Sequence, residues 1–217
     1  MKKKFKWIFF DFDGTLVDSV PTMYQIYIHF LEKFGETGTK KEFDELNGPS
    51  LPEIISLLKK RYNLKDSEQS LIALYKEAIA SDYGPSLVPV DDAEEILKTL
   101  QNNGYSLALI TSAYRNIIQP IIKNLHWEHY FKHCIFGDEV LQSKPNPDIY
   151  LLALKKTNAP REAVVAVEDS PNGIMSAKRA RIFTLGFTNS YPKETLLSAG
   201  ADDVISNLNE IEVLISH

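Results

Sequence analysis

The feature that most constrains this 217-residue chain is the run Trp7-Ile8-Phe9-Phe10, four bulky apolar residues in succession that stop at Asp11-Phe12-Asp13-Gly14. A short continuous apolar run ended by carboxylates and a glycine reads as a strand over 6–12 that is buried on both faces. Strands covered on both faces belong to parallel sheets flanked by helices. Asp11 and Asp13 therefore stand at a strand's C-terminal end, the edge at which open parallel sheets bind their ligands.

The next stretch changes period. Val20, Tyr24, Tyr27, Leu31 and Phe34 fall at helical spacing, with Ser19 as cap and Pro21 in the first turn, which predicts a helix from 19 to about 35. Further helices are expected at about 51–62, opened by Ser50 and Pro52, and at about 67–80. Three helices thus follow one another without a strand. Tyr83-Gly84-Pro85 through Pro89 reads as a return linker, beyond which helix and strand alternate. Asp91 and Asp92 cap a helix that ends at Gly104. Strands are predicted at 106–110, 134–136, 163–167 and 182–185, and helices at 115–125, 147–157 and 172–181. That alternation specifies an α/β fold with a Rossmann-like parallel sheet covered by helices on both faces.

Composition narrows the functional classes. With 44% hydrophobic residues the chain can bury one good core and a small second one. A net charge of -5 supplies no broad cationic surface for a polyanionic backbone, so nucleic acid is not an expected partner. Cys134 is the lone cysteine, which excludes a disulfide framework and a thiolate metal cluster and fits a reducing cytoplasm. The start Met1-Lys2-Lys3-Lys4 looks like the basic end of an export signal. The apolar stretch behind it, Trp7 to Phe10, is too short, and Lys2 to Lys4 read as a solvated tail. No stretch approaches the roughly 18 apolar residues of a membrane-spanning helix. A soluble cytoplasmic protein is expected.

The sheet edge collects polar residues from several strand ends: Asp11 and Asp13 after the first, Thr111 and Ser112 after the second, Glu168 and Asp169 after a later one. Lys144 lies ahead of Pro145 and Pro147 in a loop able to reach the same edge. Four carboxylates gathered in a partly desolvated cleft repel one another unless a cation is present. The five histidines have no metal-ligand spacing, so oxygen ligands alone remain, and these suit magnesium with substrate phosphate oxygens completing its shell. Asp11 is then the candidate nucleophile, since a carboxylate needs no deprotonation at neutral pH. Asp13 is the candidate general acid and base. Thr111, Ser112 and Lys144 would donate to phosphoryl oxygens, and Gly14 would let the backbone approach closely.

The segment Asp11-Phe12-Asp13-Gly14-Thr15-Leu16-Val17-Asp18-Ser19 resembles the first motif of the haloacid dehalogenase superfamily. Leu109-Ile110-Thr111-Ser112 resembles the second, Ser143-Lys144-Pro145-Asn146-Pro147 the third, and Val167-Glu168-Asp169-Ser170-Pro171-Asn172-Gly173 the fourth, in the superfamily's order and across most of the chain. The resemblance implies a catalytic core at 1–17 and 88–217 with an inserted all-helical cap domain at 18–87. It implies a metal held by the Asp11 side chain, the Asp13 backbone carbonyl and Asp169, with Glu168 in supporting contact. The activity implied is a magnesium-dependent phosphatase that hydrolyses a small soluble phosphomonoester through a phosphoaspartyl intermediate.

Rival readings within and beyond the superfamily can be separated by residue. Dehalogenases lack the second aspartate of the first motif and need no metal, whereas Asp13 and the Glu168/Asp169 pair are present. A sugar-phosphate mutase resembling β-phosphoglucomutase shares the cap and the intermediate. Such mutases usually carry Val where Thr15 stands, His where Met23 stands and Arg where Leu51 stands. A catalytically silent binding module on the same fold would have lost a motif residue, and none is lost. Asn47, Gly48, Pro49, Ser50 and Leu51 are expected to form part of a cap surface without a nearby cation, although Lys59, Lys60 and Arg61 follow along the chain.

Overall fold

The computed structural model describes residues 5–46, 51–84 and 87–215. The chain opens with β1 (Trp7–Phe10) and the two-residue strand β2 (Val17–Asp18). Four helices follow: α1 (Val20–Glu32), α2 (Lys40–Glu45), α3 (Leu51–Arg61) and α4 (Glu68–Asp82). Beyond them come β3 (Val88–Pro89), α5 (Ala93–Asn102), β4 (Ser106–Ile110), α6 (Arg115–Asn124), β5 (Phe131–Ile135) and α7 (Asp148–Thr157). The chain continues through β6 (Val164–Glu168), α8 (Pro171–Arg179), β7 (Phe183–Phe187), α9 (Lys193–Ser198), β8 (Asp203–Ile205) and α10 (Glu210–Ile215).

Six strands form one parallel sheet in the order β5-β4-β1-β6-β7-β8. β1 lies inside it, paired to β4 on one side and β6 on the other, which is why its apolar run is continuous: Ile8, Phe9 and Phe10 are fully buried. The order reverses at β1, because the chain first builds outward through β4 and β5 and then returns to the other flank with β6. Crevices at such reversals are where parallel sheets hold ligands. Phe9, Ala108, Ile110, Tyr150, Ala166 and Ala177 belong to the core cluster that packs helices onto the sheet.

The chain divides into two compact units, residues 1–18 with 88–217, and residues 19–87. The antiparallel pair β2–β3 joins Asp18 to Val88 and Val17 to Pro89, so the sheet unit keeps Asp18, one residue beyond the expected boundary. The second unit is helical. Ile26, Tyr27, Phe30, Ile55, Leu71 and Tyr75 are buried within it, and the Phe30 and Tyr75 rings meet at a 59° tilt with centroids 5.0 Å apart. The aromatic residues of α1 therefore serve mainly as the core of this unit.

Several local expectations are corrected. α2 was not anticipated: its sequence Lys40-Lys41-Glu42-Phe43-Asp44-Glu45 has no apolar stripe, and a polar device holds it in place. Thr39 caps it by accepting from the Glu42 amide at 3.2 Å. The Glu42 carboxylate accepts from Tyr27 Oη at 2.6 Å and Tyr62 Oη at 2.5 Å and pairs with Arg61 Nη1 at 2.8 Å. Burial pushes this carboxyl up, but the hydrogen bonds from Tyr27, Tyr62 and Arg61 outweigh it and hold it below the usual carboxylate value. Arg61 is thus committed inside the unit, and Lys59 Nζ donates to the carbonyls of Leu64 and Asp66. Ser19 and Asp92 occupy N-cap positions without side-chain capping bonds. Asp92 instead accepts from Asn207 and Asn209 near the C-terminus. Ser50, with the rest of the expected surface at Asn47, Gly48 and Pro49, lies outside the described residues, as do Pro85 of the linker and the Lys2 to Lys4 tail.

Candidate active site

The register of the sheet brings the site together. Phe10 of β1 is level with Leu109 of β4 and Val167 of β6, so the chain leaving β1 emerges between the ends of those two strands. Asp11 donates its amide to Val167 O at 3.0 Å, which sets its side chain beside Glu168, the last residue of β6. One carboxylate oxygen from each of Asp11, Glu168 and Asp169 lies within 4.8 Å of the others, and all three residues are buried.

Lys144 enters this cluster from the loop between β5 and α7. Its ammonium lies 2.6 Å from Asp11 Oδ1 and 2.7 Å from Glu168 Oε1, and it donates to Ile110 O at 3.2 Å. The loop is anchored to α8, because Ser176 Oγ donates to Asn146 O at 2.5 Å and Arg179 Nη1 to Pro145 O at 2.8 Å. A lysine on an irregular loop is thus held by the helix that follows β6. Tyr150 of α7 donates its hydroxyl to Glu168 Oε1. Thr15 donates to Asp11 Oδ2 at 3.4 Å, a long and weak bond.

The charges are out of balance. Burial opposes the Lys144 ammonium, but Asp11 and Glu168 outweigh it and raise the lysine above its ordinary range. Glu168 is pushed up to about 7 by burial, with Lys144 opposing and Asp11 reinforcing the shift. Asp169 is raised by burial and by the Asp11 charge, against the hydrogen bond from Ser190. Burial and the Glu168 charge raise Tyr150, which keeps its hydroxyl a donor. Three carboxylates against one ammonium leave two formal negative charges in a buried space, and Glu168 Oε2 is buried without a hydrogen bond. An all-oxygen donor set with that deficit fits a divalent cation.

Each sequence-derived candidate can now be placed. Asp11, Lys144, Glu168 and Asp169 form one cluster. Asp13 follows at the turn after β1, where its backbone bridges to Val17. Thr111 and Ser112 end the adjacent strand; the buried Thr111 hydroxyl accepts from the Ala113 amide at 3.0 Å, and Ser112 is exposed. Gly14 has φ +76°, and a Cβ there would overlap Asp169 Oδ2 and Ser190 Oγ. The close approach expected at this glycine is therefore made by Asp169 and Ser190. Ser170, directly after Asp169, caps α8 by accepting from Gly173 N at 3.1 Å. Sequence reasoning missed Tyr150, Asn189 and Ser190. The last two follow strand β7, so the rule that singled out polar residues after the other strands would have found them.

Three comparisons bear on this geometry. Residues 8–187 match the family model described as haloacid dehalogenase-like hydrolase. A phosphorylated carbohydrates phosphatase of Thermotoga maritima is 30% identical over 94% of this chain and 98% of its own length, and phosphoglycolate phosphatase 1 of Pseudomonas aeruginosa is 28% identical over 94% and 77%. A crystal structure from Thermotoga maritima, provisionally named a beta-phosphoglucomutase, superposes with a TM-score of 0.82 at 30% identity, covering 96% of this chain and 98% of that one.

Proposed function

This chain belongs to the haloacid dehalogenase-like hydrolases, and from that premise we propose that it is a magnesium-dependent phosphatase acting on a small soluble phosphomonoester through a phosphoaspartyl intermediate on Asp11. The observation that carries this reading is the Lys144 ammonium set 2.6 Å from Asp11 Oδ1, with Glu168 and Asp169 closing the cluster. Lys144 orients the nucleophile through this ion pair, and its charge lies where phosphoryl oxygens would arrive.

In the first step a carboxylate oxygen of Asp11 bonds to phosphorus as the bond to the leaving alcohol oxygen breaks, and Asp13 gives that oxygen its proton. In the second, Asp13 takes a proton from water, the water oxygen bonds to phosphorus, and the acyl phosphate bond opens to return the Asp11 carboxylate and release phosphate. Lys144, Thr111 and Ser112 donate to the phosphoryl oxygens throughout, and Gly14 keeps the turn clear of a side chain. Asp11, the Asp13 carbonyl and Asp169 would hold magnesium, with Glu168 in support; when bound it offsets phosphoryl negative charge. The helical insert at 19–87 is assigned the role of a cap that selects the substrate.

A second reading has a specific observation behind it, the 30% identical structure provisionally named a beta-phosphoglucomutase. Thr15, Met23 and Leu51 stand where such mutases usually carry Val, His and Arg, which favours transfer to water. Hydrolysis of p-nitrophenyl phosphate with and without magnesium, beside Asp11→Asn, tests the enzyme reading; a mutant as fast as the wild type overturns it. Phosphate release measured against conversion of β-glucose 1-phosphate to glucose 6-phosphate separates the two readings. Rapid isomerisation with little free phosphate would reject the phosphatase.

A further inference from the structure

Beyond the motif residues, a segment contributed by no motif reaches the cluster. After β7 the chain runs Thr188-Asn189-Ser190-Tyr191, and two of these side chains reach the site. Ser190 donates its hydroxyl to Asp169 Oδ2. Asn189 Nδ2 donates to Gly14 O at 3.0 Å across 175 positions of sequence. The space a Cβ would fill at Gly14 is occupied by Asp169 Oδ2 and Ser190 Oγ, so the turn after β1, the end of β6 and the loop after β7 converge there.

We propose that the Asn189-Ser190 pair is a positioning device for the cation site: Ser190 holds one oxygen of Asp169 so that this carboxylate meets the cation already oriented, while Asn189 fixes the turn that carries Asp13 and Gly14. The inference rests on the proposed role of Asp169 as a cation ligand. Its physical basis is general. A carboxylate side chain on a loop samples several rotamers, and a hydrogen bond to one oxygen removes that freedom before binding; such outer partners change metal affinity without touching the metal. Ser190 supplies a hydrogen-bond donor to a carboxylate that burial takes out of water.

The test is calorimetric titration of magnesium into the full chain, with no substrate present, for the wild type and the variants Ser190→Ala, Ser190→Thr and Asp169→Asn, each first checked for a cooperative thermal transition. Ser190→Ala is expected to bind magnesium about 10- to 100-fold more weakly, and Ser190→Thr, which keeps the hydroxyl, to stay within about threefold of the wild type. Asp169→Asn should lose binding. Wild-type affinity in Ser190→Ala beside loss in Asp169→Asn overturns the positioning role alone. Equal weakening in Ser190→Ala and Ser190→Thr also overturns it, since the hydroxyl would then not be what matters. Wild-type affinity in Asp169→Asn would instead defeat the assignment of the cation site itself.

Discussion

Lys144 is the cation of the buried carboxylate cluster. Its ammonium, on a side chain 7% exposed, is shared between Asp11 and Glu168, so Lys144→Met leaves three buried carboxylates facing one another. Turnover of p-nitrophenyl phosphate is expected to fall by about 10²–10³-fold in that variant, the usual loss when one donor to developing charge is removed. Gly14→Ala is expected to destabilise by about 1–3 kcal/mol in urea denaturation, because alanine resists φ +76° and its methyl displaces Asp169. The same variant should lose magnesium binding. Asp11, Lys144, Glu168 and Asp169 were legible in the sequence because each is a charged residue at a predicted strand end or in a short proline-bounded loop. Tyr150 was not, since a tyrosine inside a helix carries no mark of the carboxylate it will meet across the fold.

At the scale of elements, α8 links the two halves of the cluster. Ser170 caps its first turn directly after Asp169, and Ser176 and Arg179 on its later turns hold the loop that carries Lys144. Ser170→Ala should cost about 1 kcal/mol in thermal denaturation, the ordinary value of a lost N-cap. Because Asp169 is adjacent to the freed helix end, the magnesium concentration for half-maximal activity should rise in the same variant. Strands β1, β4 and β6 were legible because their apolar runs are continuous, and β7 because Ile182, Phe183 and Leu185 cluster between helical stretches. β2, β3 and β8 were not, for two or three residues cannot show a period. α2, α9 and α10 each span six residues and bury only one or two of them, too few to mark an amphipathic face.

Across the whole molecule the site's electrostatics predict a pH dependence of stability. Glu168 is raised in the folded protein to about 7 from 4.5, and Asp169 is raised in the same direction, so the folded state binds protons more tightly than the unfolded chain. The Glu168 contribution is complete below its unfolded value and is lost as pH rises through about 7, and Asp169 acts in the same direction. The magnesium-free protein should therefore melt at a lower temperature at pH 8 than at pH 5, and Glu168→Gln should flatten the difference. Saturating magnesium at pH 8 should restore the loss, since the cation supplies the charge that protonation supplied. At the acid end Glu42 works in the opposite sense: its lowered value stabilises the helical unit until pH falls through it. Among the described residues no helix is long and apolar enough to cross a membrane, which matches the scarcity of long apolar runs in the sequence.

A phosphoryl group carried on Asp11 can be trapped chemically. Turnover of a sugar phosphate with magnesium is quenched with borohydride, which reduces an aspartyl phosphate to homoserine, and the digest is read by mass spectrometry. Homoserine at position 11, dependent on substrate and magnesium, is the predicted result. Steady phosphate release with Asp11 unmodified, or the label on another residue, would contradict it.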